Sequence, residues 1–209
     1  MKKNFSKKIG KFGKVCLVVF GLAYLTGCAS YNASTLTNLS PDHFMNSTPK
    51  AEGIGIAAKA FSKVDCKMYL DRDVISKGYQ PVQLFIQNNT EKSYSFALSR
   101  IGLPHASPEE VAEKVHTSTV GRATAYGVGS LFLWPLAIPA VVDGVKSSQA
   151  NKALDNDFNT KVAKDQNLNP HSYMNSLIFV PVTGFSNNFT VTLIDLETNK
   201  PVILTVSAT

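Results

Sequence analysis

Two stretches of alternating apolar and polar residues constrain the fold of this chain more than any other feature. In residues 80–99, Val82, Leu84 and Ile86 alternate with Gln83, Phe85 and Gln87, and the second half of the stretch alternates large apolar residues with serine and alanine. A side-chain period of two places alternate residues on opposite faces of a β-strand, so one face of each strand is buried. The turn residues at 88–91 separate the two halves and predict a β-hairpin over residues 80–99.

The C-terminal part of the chain carries the same signal, with turn residues at 183–186 and 197–200. An antiparallel sandwich of two sheets is the architecture that suits many short alternating strands. The predicted strands number about seven and occupy residues 54–62, 66–71, 80–88, 93–99, 177–182, 189–193 and 202–207. The predicted fold class is therefore mainly β, and the architecture resembles the immunoglobulin-like domains of bacterial envelope lipoproteins.

The middle of the chain departs from this pattern and predicts helices. Ser107 followed by Pro108 and by Glu110 is a typical helix start, with a capping hydroxyl, proline in the first turn and glutamate three residues after the cap. The twenty residues Ala123–Val142 carry no charge. Pro135 and Pro139 interrupt this stretch, because each removes a helical hydrogen bond.

We therefore predict a helical hairpin inserted into the sandwich at about residues 107–165. Its arms are expected at residues 117–133 and 138–158, with a corner at residues 133–139. The four residues Ser107–Glu110 then begin a separate short helix.

Small residues recur every four positions in the first predicted arm, at Gly121, Ala125 and Gly129. This spacing lets two helix backbones approach closely, as in a glycine zipper. Three interpretations stay open. The hairpin packs on the sandwich as internal core, it forms a surface for self-association or a protein partner, or its corner, with Phe132 and Trp134, dips into lipid.

The N-terminus has the three parts of a secretory signal. A lysine-rich run ends at Lys14, and the eleven residues Val15–Leu25 are apolar or small, too few to span a bilayer. The junction Leu25-Thr26-Gly27-Cys28 resembles the lipobox of bacterial lipoproteins. The resemblance implies that residues 1–27 are removed and that the thiol and amino group of Cys28 are acylated, which anchors the chain in a membrane.

The same resemblance implies a location. Ala29 and Ser30 follow the cysteine, where members kept at the inner membrane tend to carry aspartate. We therefore expect an outer-membrane protein that faces the periplasm. Residues 28–52 are rich in Ser, Thr and Asn and predict a flexible tether, followed by the folded domain at residues 53–209.

Charge excludes one class of partner. The six lysines of the signal account for the whole formal charge of +6, so the rest of the chain is neutral. A neutral body cannot bind nucleic acid through counterion release. Of the three cysteines, only Cys66 stays in the folded body, and we expect a buried strand cysteine that acts as a small hydrophobe.

Catalytic motifs are nearly absent from the sequence, its four histidines show no metal-ligand spacing, and we expect no cofactor. The favoured function is a non-enzymatic binding or assembly module of the cell envelope. One alternative is an envelope hydrolase or small-ligand carrier with a dispersed site built from His105, His116, Asp143 and His171. Another is a subunit of a secretion or outer-membrane complex.

Overall fold

The computed structural model describes residues 30–39, 47–48, 53–117 and 137–209, which fall into two compact units. One unit comprises Tyr31–His116 and Asn151–Thr209 and holds every strand given below. The other comprises Met1–Ser30 and Thr117–Ala150 and includes the first part of the long helix.

The described residues form a mainly β structure with two antiparallel sheets. The strands are β1 (Ser47–Thr48), β2 (Ile54–Ala60), β3 (Tyr79–Asn88), β4 (Tyr94–Phe96), β5 (Gln166–Leu168), β6 (Tyr173–Pro181), β7 (Asn188–Asp195) and β8 (Pro201–Ser207). One sheet has the order β1-β8-β7-β4-β5, and the other has the order β2-β3-β6.

The helices are α1 (Lys63–Leu70), α2 (Pro108–Val115) and α3 (Ala137–Lys161). The start of α2 is confirmed: Ser107 is the N-cap, its hydroxyl accepts the Glu110 N–H at 3.1 Å, and Pro108 lies in the first turn. The Glu110 carboxylate does not complete a capping box in the usual way, because it accepts the Tyr79 hydroxyl at 2.6 Å instead.

The second predicted arm of the hairpin corresponds to α3, which begins one residue earlier than predicted and ends three residues later. Pro139 lies in the first turn of α3, at the end of the predicted corner, and the residues of that corner before Ala137 lie outside the described residues. Backbone N–H groups of a first turn have no partner within the helix, so proline costs no hydrogen bond there. The predicted first arm, apart from Thr117, and Pro135 lie outside the described residues.

The predicted hairpin over residues 80–99 is wrong. The β3 strand pairs with β2 and β6, whereas β4 pairs with β5 and β7, so the turn carries the chain from one sheet to the other. The buried Asn88 side chain fixes this crossing: its amide donates to the carbonyl oxygens of Lys92 and Asn169, both at 2.8 Å. Its Oδ1 accepts the Thr90 N–H at 3.0 Å.

The predicted strand at residues 66–71 is also wrong, because these residues belong to α1 and the residue that follows it. A capping box starts this helix: the Ser62 hydroxyl accepts the Asp65 N–H, and the Asp65 carboxylate accepts the Ser62 N–H at 2.9 Å. Both groups satisfy donors that a helix start leaves unpaired. The predicted turn at 197–200 is confirmed, since it joins the paired strands β7 and β8.

The two sheets share one hydrophobic core. Apolar side chains of β2, β3 and β6 meet those of β4, β5, β7 and β8 in a single buried cluster. A second cluster joins the three helices to the other side of the three-stranded sheet, where Leu177 and Phe179 of β6 pack with Leu154 and Phe158 of α3. The three-stranded sheet is therefore covered on both faces.

Candidate functional site

Residues 31–39 form an irregular segment, here called the strap, that is bonded to the folded domain along its length. Its backbone N–H groups reach two acceptors: Ser34 N donates to the carbonyl of Met68 at 2.9 Å, and Asn32 N donates to Asp71 Oδ2 at 3.1 Å. Further along, Thr37 accepts from the buried Gln83 amide at 2.7 Å through its carbonyl oxygen. The strap thus runs from the end of α1 onto β3.

Tyr31 begins the strap and contacts several groups of the folded domain. Its hydroxyl donates to the carboxylate of Asp157 on α3, and the Arg72 guanidinium lies 5.3 Å from the centre of its ring. Lys161 is buried beside them and donates to Asp157 at 2.6 Å and to the Tyr69 carbonyl at 2.7 Å. Burial, and then the hydrogen bond to the Asp157 carboxylate, raise the pKa of Tyr31 far above its usual value.

Apolar contacts complete the docking of the strap. Leu39 is buried in a small cluster with Ala57 of β2 and Phe85 of β3. Tyr31 and Leu36 pack against the helix-covered core. These contacts bury the outward face of β3, which explains why Gln83 and Phe85 are buried although they alternate with the residues of the inner core.

The strap corrects one prediction. The sequence predicts a flexible tether over residues 28–52, but residues 31–39 are docked, and β1 within the same range pairs with β8. The remaining residues of the range, apart from Ser30, lie outside the described part of the chain. Polar composition predicted a flexible segment because Ser, Thr and Asn solvate the backbone, but the same groups bond equally well to a folded surface.

A cleft of about 470 Å³ lies between the residues that precede α2 and the end of α3. Its polar lining residues are His105, Ser107, Glu109, Asn159 and Lys164, and Ile178 and Phe179 are among its apolar lining residues. The pKa of Glu109 is lowered by a hydrogen bond from its own backbone N–H, then by the Asn159 amide, the Ser107 hydroxyl and the Lys164 charge. The cleft therefore places a carboxylate whose charged form is favoured near the positive charge of Lys164.

The structure does not bring together the dispersed residues of the predicted alternative site. His105 lines the cleft, but His116 lies 2.6 Å from Asp155, and His171 lies 3.0 Å from the exposed Glu91. Neither His116 nor His171 lines the cleft. The side chain of Asp143 is outside the described residues.

Cys66 is buried, as the sequence predicts, but it lies on α1 and not on a strand. Burial, and then the charge of Asp73, raise the pKa of its thiol to about 11. A thiol that stays protonated near neutral pH is a weak nucleophile. The thiol therefore packs as an apolar group of the helix-covered core.

The other predicted site residues lie outside the described part of the chain. They are the lipidation site Cys28 and the interaction residues Gly121, Ala125, Gly129, Phe132 and Trp134. Among the residues that are described, no histidine, cysteine, aspartate or glutamate cluster could hold a metal ion. Of the three helices described, none combines the length and the apolar character that crossing a membrane requires.

Sequence reasoning missed the strap and the cleft for different reasons. The helix start at Ser107 was a usable signal for one wall of the cleft, whereas Lys164 and Phe179 join it only through the fold. Nothing in the sequence near Tyr31 identifies Asp157, 126 residues away, as its partner.

Comparison with protein-family models, with curated proteins and with solved structures returns no match for this chain.

Proposed function

We propose that this protein is a lipid-anchored module of the bacterial cell envelope that binds or assembles with a partner and is not an enzyme. The proposal rests on the resemblance of Leu25–Cys28 to a lipobox and on one structural observation, the docking of Tyr31 onto α3. Lipid at Cys28 would confine the domain to the surface of the outer membrane, on its periplasmic side. Confinement raises the effective concentration of the domain for any neighbouring partner.

The short distance between the anchor and the domain is what supports this proposal most directly. Only Ala29 and Ser30 separate Cys28 from Tyr31. Three Cα steps span at most about 11 Å when the chain is fully extended. A domain held so closely would bind its partner at the membrane surface, whereas a long flexible linker would let it reach partners far from the membrane.

We also propose that the two sheets form an immunoglobulin-like sandwich. If the two-residue β1 is left out and β2–β8 are lettered A to G, the sheets have the orders A-B-E and G-F-C-D. Constant-type immunoglobulin domains have the orders A-B-E-D and C-F-G. The strand order thus supports the assignment with one difference, the fourth strand, which here joins the second sheet after the helices α2 and α3.

The two alternative functions have less support. A small-ligand carrier would use the cleft, but only His105 of the four residues predicted for such a site lines it. A subunit of an envelope complex would use the predicted hairpin surface, most of which lies outside the described residues.

Lipid labelling tests the proposed anchor. The full-length chain, produced in a bacterium that processes lipoproteins, is expected to incorporate labelled palmitate and to float with membranes in a density gradient. Cys28→Ser is expected to abolish both, because the thiol that accepts the diacylglycerol is lost. Two acyl chains or more hold a protein stably on a bilayer, so the change should be nearly complete.

Cys66→Ala is the matched control, since it removes the cysteine of the folded body and leaves the proposed anchor in place. This variant should label and float like the parent chain. Labelled palmitate on the Cys28→Ser chain would contradict the proposal.

A further inference from the structure

The helix α1 has an outward face that is half basic and half apolar. Val64 and Met68, four residues apart, are 69% and 48% exposed. Lys63 and Lys67 are also exposed and lie beside them on the same face, while Cys66 and Leu70 on the opposite face are buried. Exposed apolar side chains beside lysines are also found where a helix lies on the surface of a bilayer, the apolar groups entering the lipid and the lysines meeting the headgroups.

The strap places this face close to the proposed anchor. Ser34 N bonds to the Met68 carbonyl at 2.9 Å, and Asn32 N bonds to Asp71, the residue that ends α1. Cys28 lies six residues before Ser34, so an extended chain puts its Cα within about 22 Å of the Ser34 Cα. An acylated Cys28 must sit in the headgroup region, and this part of the chain cannot move far from it.

The charges on and around this face belong to several groups. Lys67 pairs with Asp71, which also pairs with Arg72 at 3.1 Å, and Asp65 pairs with Lys59 at 2.7 Å. Each of the two carboxylates, Asp65 and Asp71, is thus partly neutralised by at least one cationic side chain. The cations Lys59, Lys63, Lys67 and Arg72 outnumber the carboxylates of Asp65 and Asp71, and the paired Lys67 side chain is still 75% exposed. A surplus of positive charge suits anionic phospholipid headgroups.

We propose that the outward face of α1, formed by Lys63, Val64, Lys67 and Met68, contacts the phospholipid surface in which the chain is anchored. This inference rests on the proposed lipid anchor at Cys28. The two apolar side chains enter the boundary between headgroups and acyl chains, and the two lysines contact anionic headgroups. The contact adds a second membrane attachment to the lipid and so fixes the orientation of the domain.

A depth-sensitive fluorescence measurement tests the contact. The lipidated full-length chain carrying Val64→Cys is labelled with an environment-sensitive maleimide and reconstituted into phosphatidylethanolamine vesicles that contain phosphatidylglycerol and brominated lipid. Cys28 is acylated and Cys66 is buried, so the new cysteine is the one that reacts. Ile203→Cys is the matched control, because Ile203 lies on β8 and is 58% exposed.

The label at position 64 is expected to lose about half of its emission to the brominated lipid, since an interfacial helix buries its apolar face in that region. The label at position 203 is expected to keep its emission. Lys63→Glu in the Val64→Cys chain should weaken the quenching by removing one attraction to phosphatidylglycerol and adding a repulsion. Thermal unfolding of each labelled chain checks that it is folded.

Different outcomes separate this inference from the proposed function. If the protein floats with the vesicles but the label at 64 is quenched no more than the label at 203, the face of α1 is not the surface that the domain turns to the lipid, and this inference is overturned while the anchor stands. If the protein does not float, the proposed lipid anchor at Cys28 is wrong, and the proposed contact of α1 with lipid, which rests on it, is rejected as well.

Discussion

Gly53 and Gly78 both have backbone conformations that side chains rarely adopt, but their surroundings differ. Gly53 has φ of +84°, and a Cβ there would lie 2.6 Å from the Thr90 methyl group. Gly78 has φ of +93°, and a Cβ there would meet nothing within 4 Å. The two positions separate the cost of backbone strain from the cost of a steric clash.

We expect Gly78→Ala to lower the free energy of unfolding by about 1 kcal/mol, the cost of a left-handed conformation for a residue with Cβ. Gly53→Ala should cost more, about 2–3 kcal/mol, because Thr90 must also move. Urea denaturation of the Cys28→Ser chain measures both. Thr90→Ser added to Gly53→Ala should recover part of the difference, and no recovery would show that Thr90 is not the obstacle.

At the scale of elements, the strap is held without regular secondary structure. Its backbone groups bond to Asp71, to the end of α1 and to Gln83, and its side chains bond to Asp157 and Asn175. Each partner comes from a different part of the domain. The strap is therefore a product of the finished fold and has no stability of its own.

Tyr31→Phe removes the hydroxyl that the Asp157 carboxylate accepts. We expect the free energy of unfolding to fall by about 1 kcal/mol, because Lys161 still satisfies the carboxylate. Amide exchange at Ser34 should become faster, since the first residues of the strap are held less firmly. Tyr173→Phe, at a tyrosine that is 60% exposed, is the control and should change neither quantity. Equal exchange in both variants would contradict the role given to Tyr31.

The sequence predicted elements better than it predicted their partners. Period-two alternation identified β3, because Val82, Leu84 and Ile86 must share a buried face in any pairing. The pattern could not say that β3 pairs with β6 instead of β4, since either partner buries the same row. Turn residues show only that the chain changes direction, and the bonds of Asn88 that send it to the other sheet depend on Asn169, 81 residues later.

Two errors at this scale had different causes. The signal for α1 was available, because Ser62 and Asp65 have the spacing of a capping box, yet the short apolar run at 66–71 was interpreted as a strand. The strap and most of the cleft had no local signal. Their contacts join residues as far apart as Asn38 and Asn175, which are separated by 137 positions.

At the scale of the whole molecule, titratable groups limit stability at both ends of the pH range. The Lys92 amine, followed by the Thr198 and Glu197 N–H groups, holds the pKa of Asp195 well below its usual value. Burial raises the pKa of Cys66 to about 11, and the Glu110 carboxylate raises the pKa of Tyr79. The folded chain thus keeps Asp195 charged and the Cys66 thiol neutral over a wider range of pH than the unfolded chain does.

We expect the melting temperature to be highest and nearly constant between about pH 5 and pH 8. Below about pH 4 the side chain of Asp195 becomes protonated in the unfolded chain but stays ionised in the folded chain. The free energy of unfolding therefore falls as the pH falls. Above about pH 9 the unfolded chain ionises its thiol while folded Cys66 keeps the proton, so stability falls again. A series of thermal melts across this range checks both limbs.

Asp195→Asn should lower the melting temperature at pH 7, and its difference from the parent chain should shrink as the pH falls below about 3. Glu113→Gln is the control, because Glu113 is an exposed residue of α2, and it should leave the acid limb unchanged. A difference for Asp195→Asn that is constant with pH would rule out ionised Asp195 as a source of acid sensitivity.

The pairing of β3 with β6 sets the order in which the chain can fold. Tyr79 lies opposite Pro181, so the three-stranded sheet cannot be completed until a segment about a hundred residues further along the chain is available to pair. Contacts this distant in sequence slow folding, because a long loop must close before they form. The strap docks on side chains of both strands, Gln83 and Asn175, so its residues leave the ribosome before either strand but can dock only after the two strands have paired.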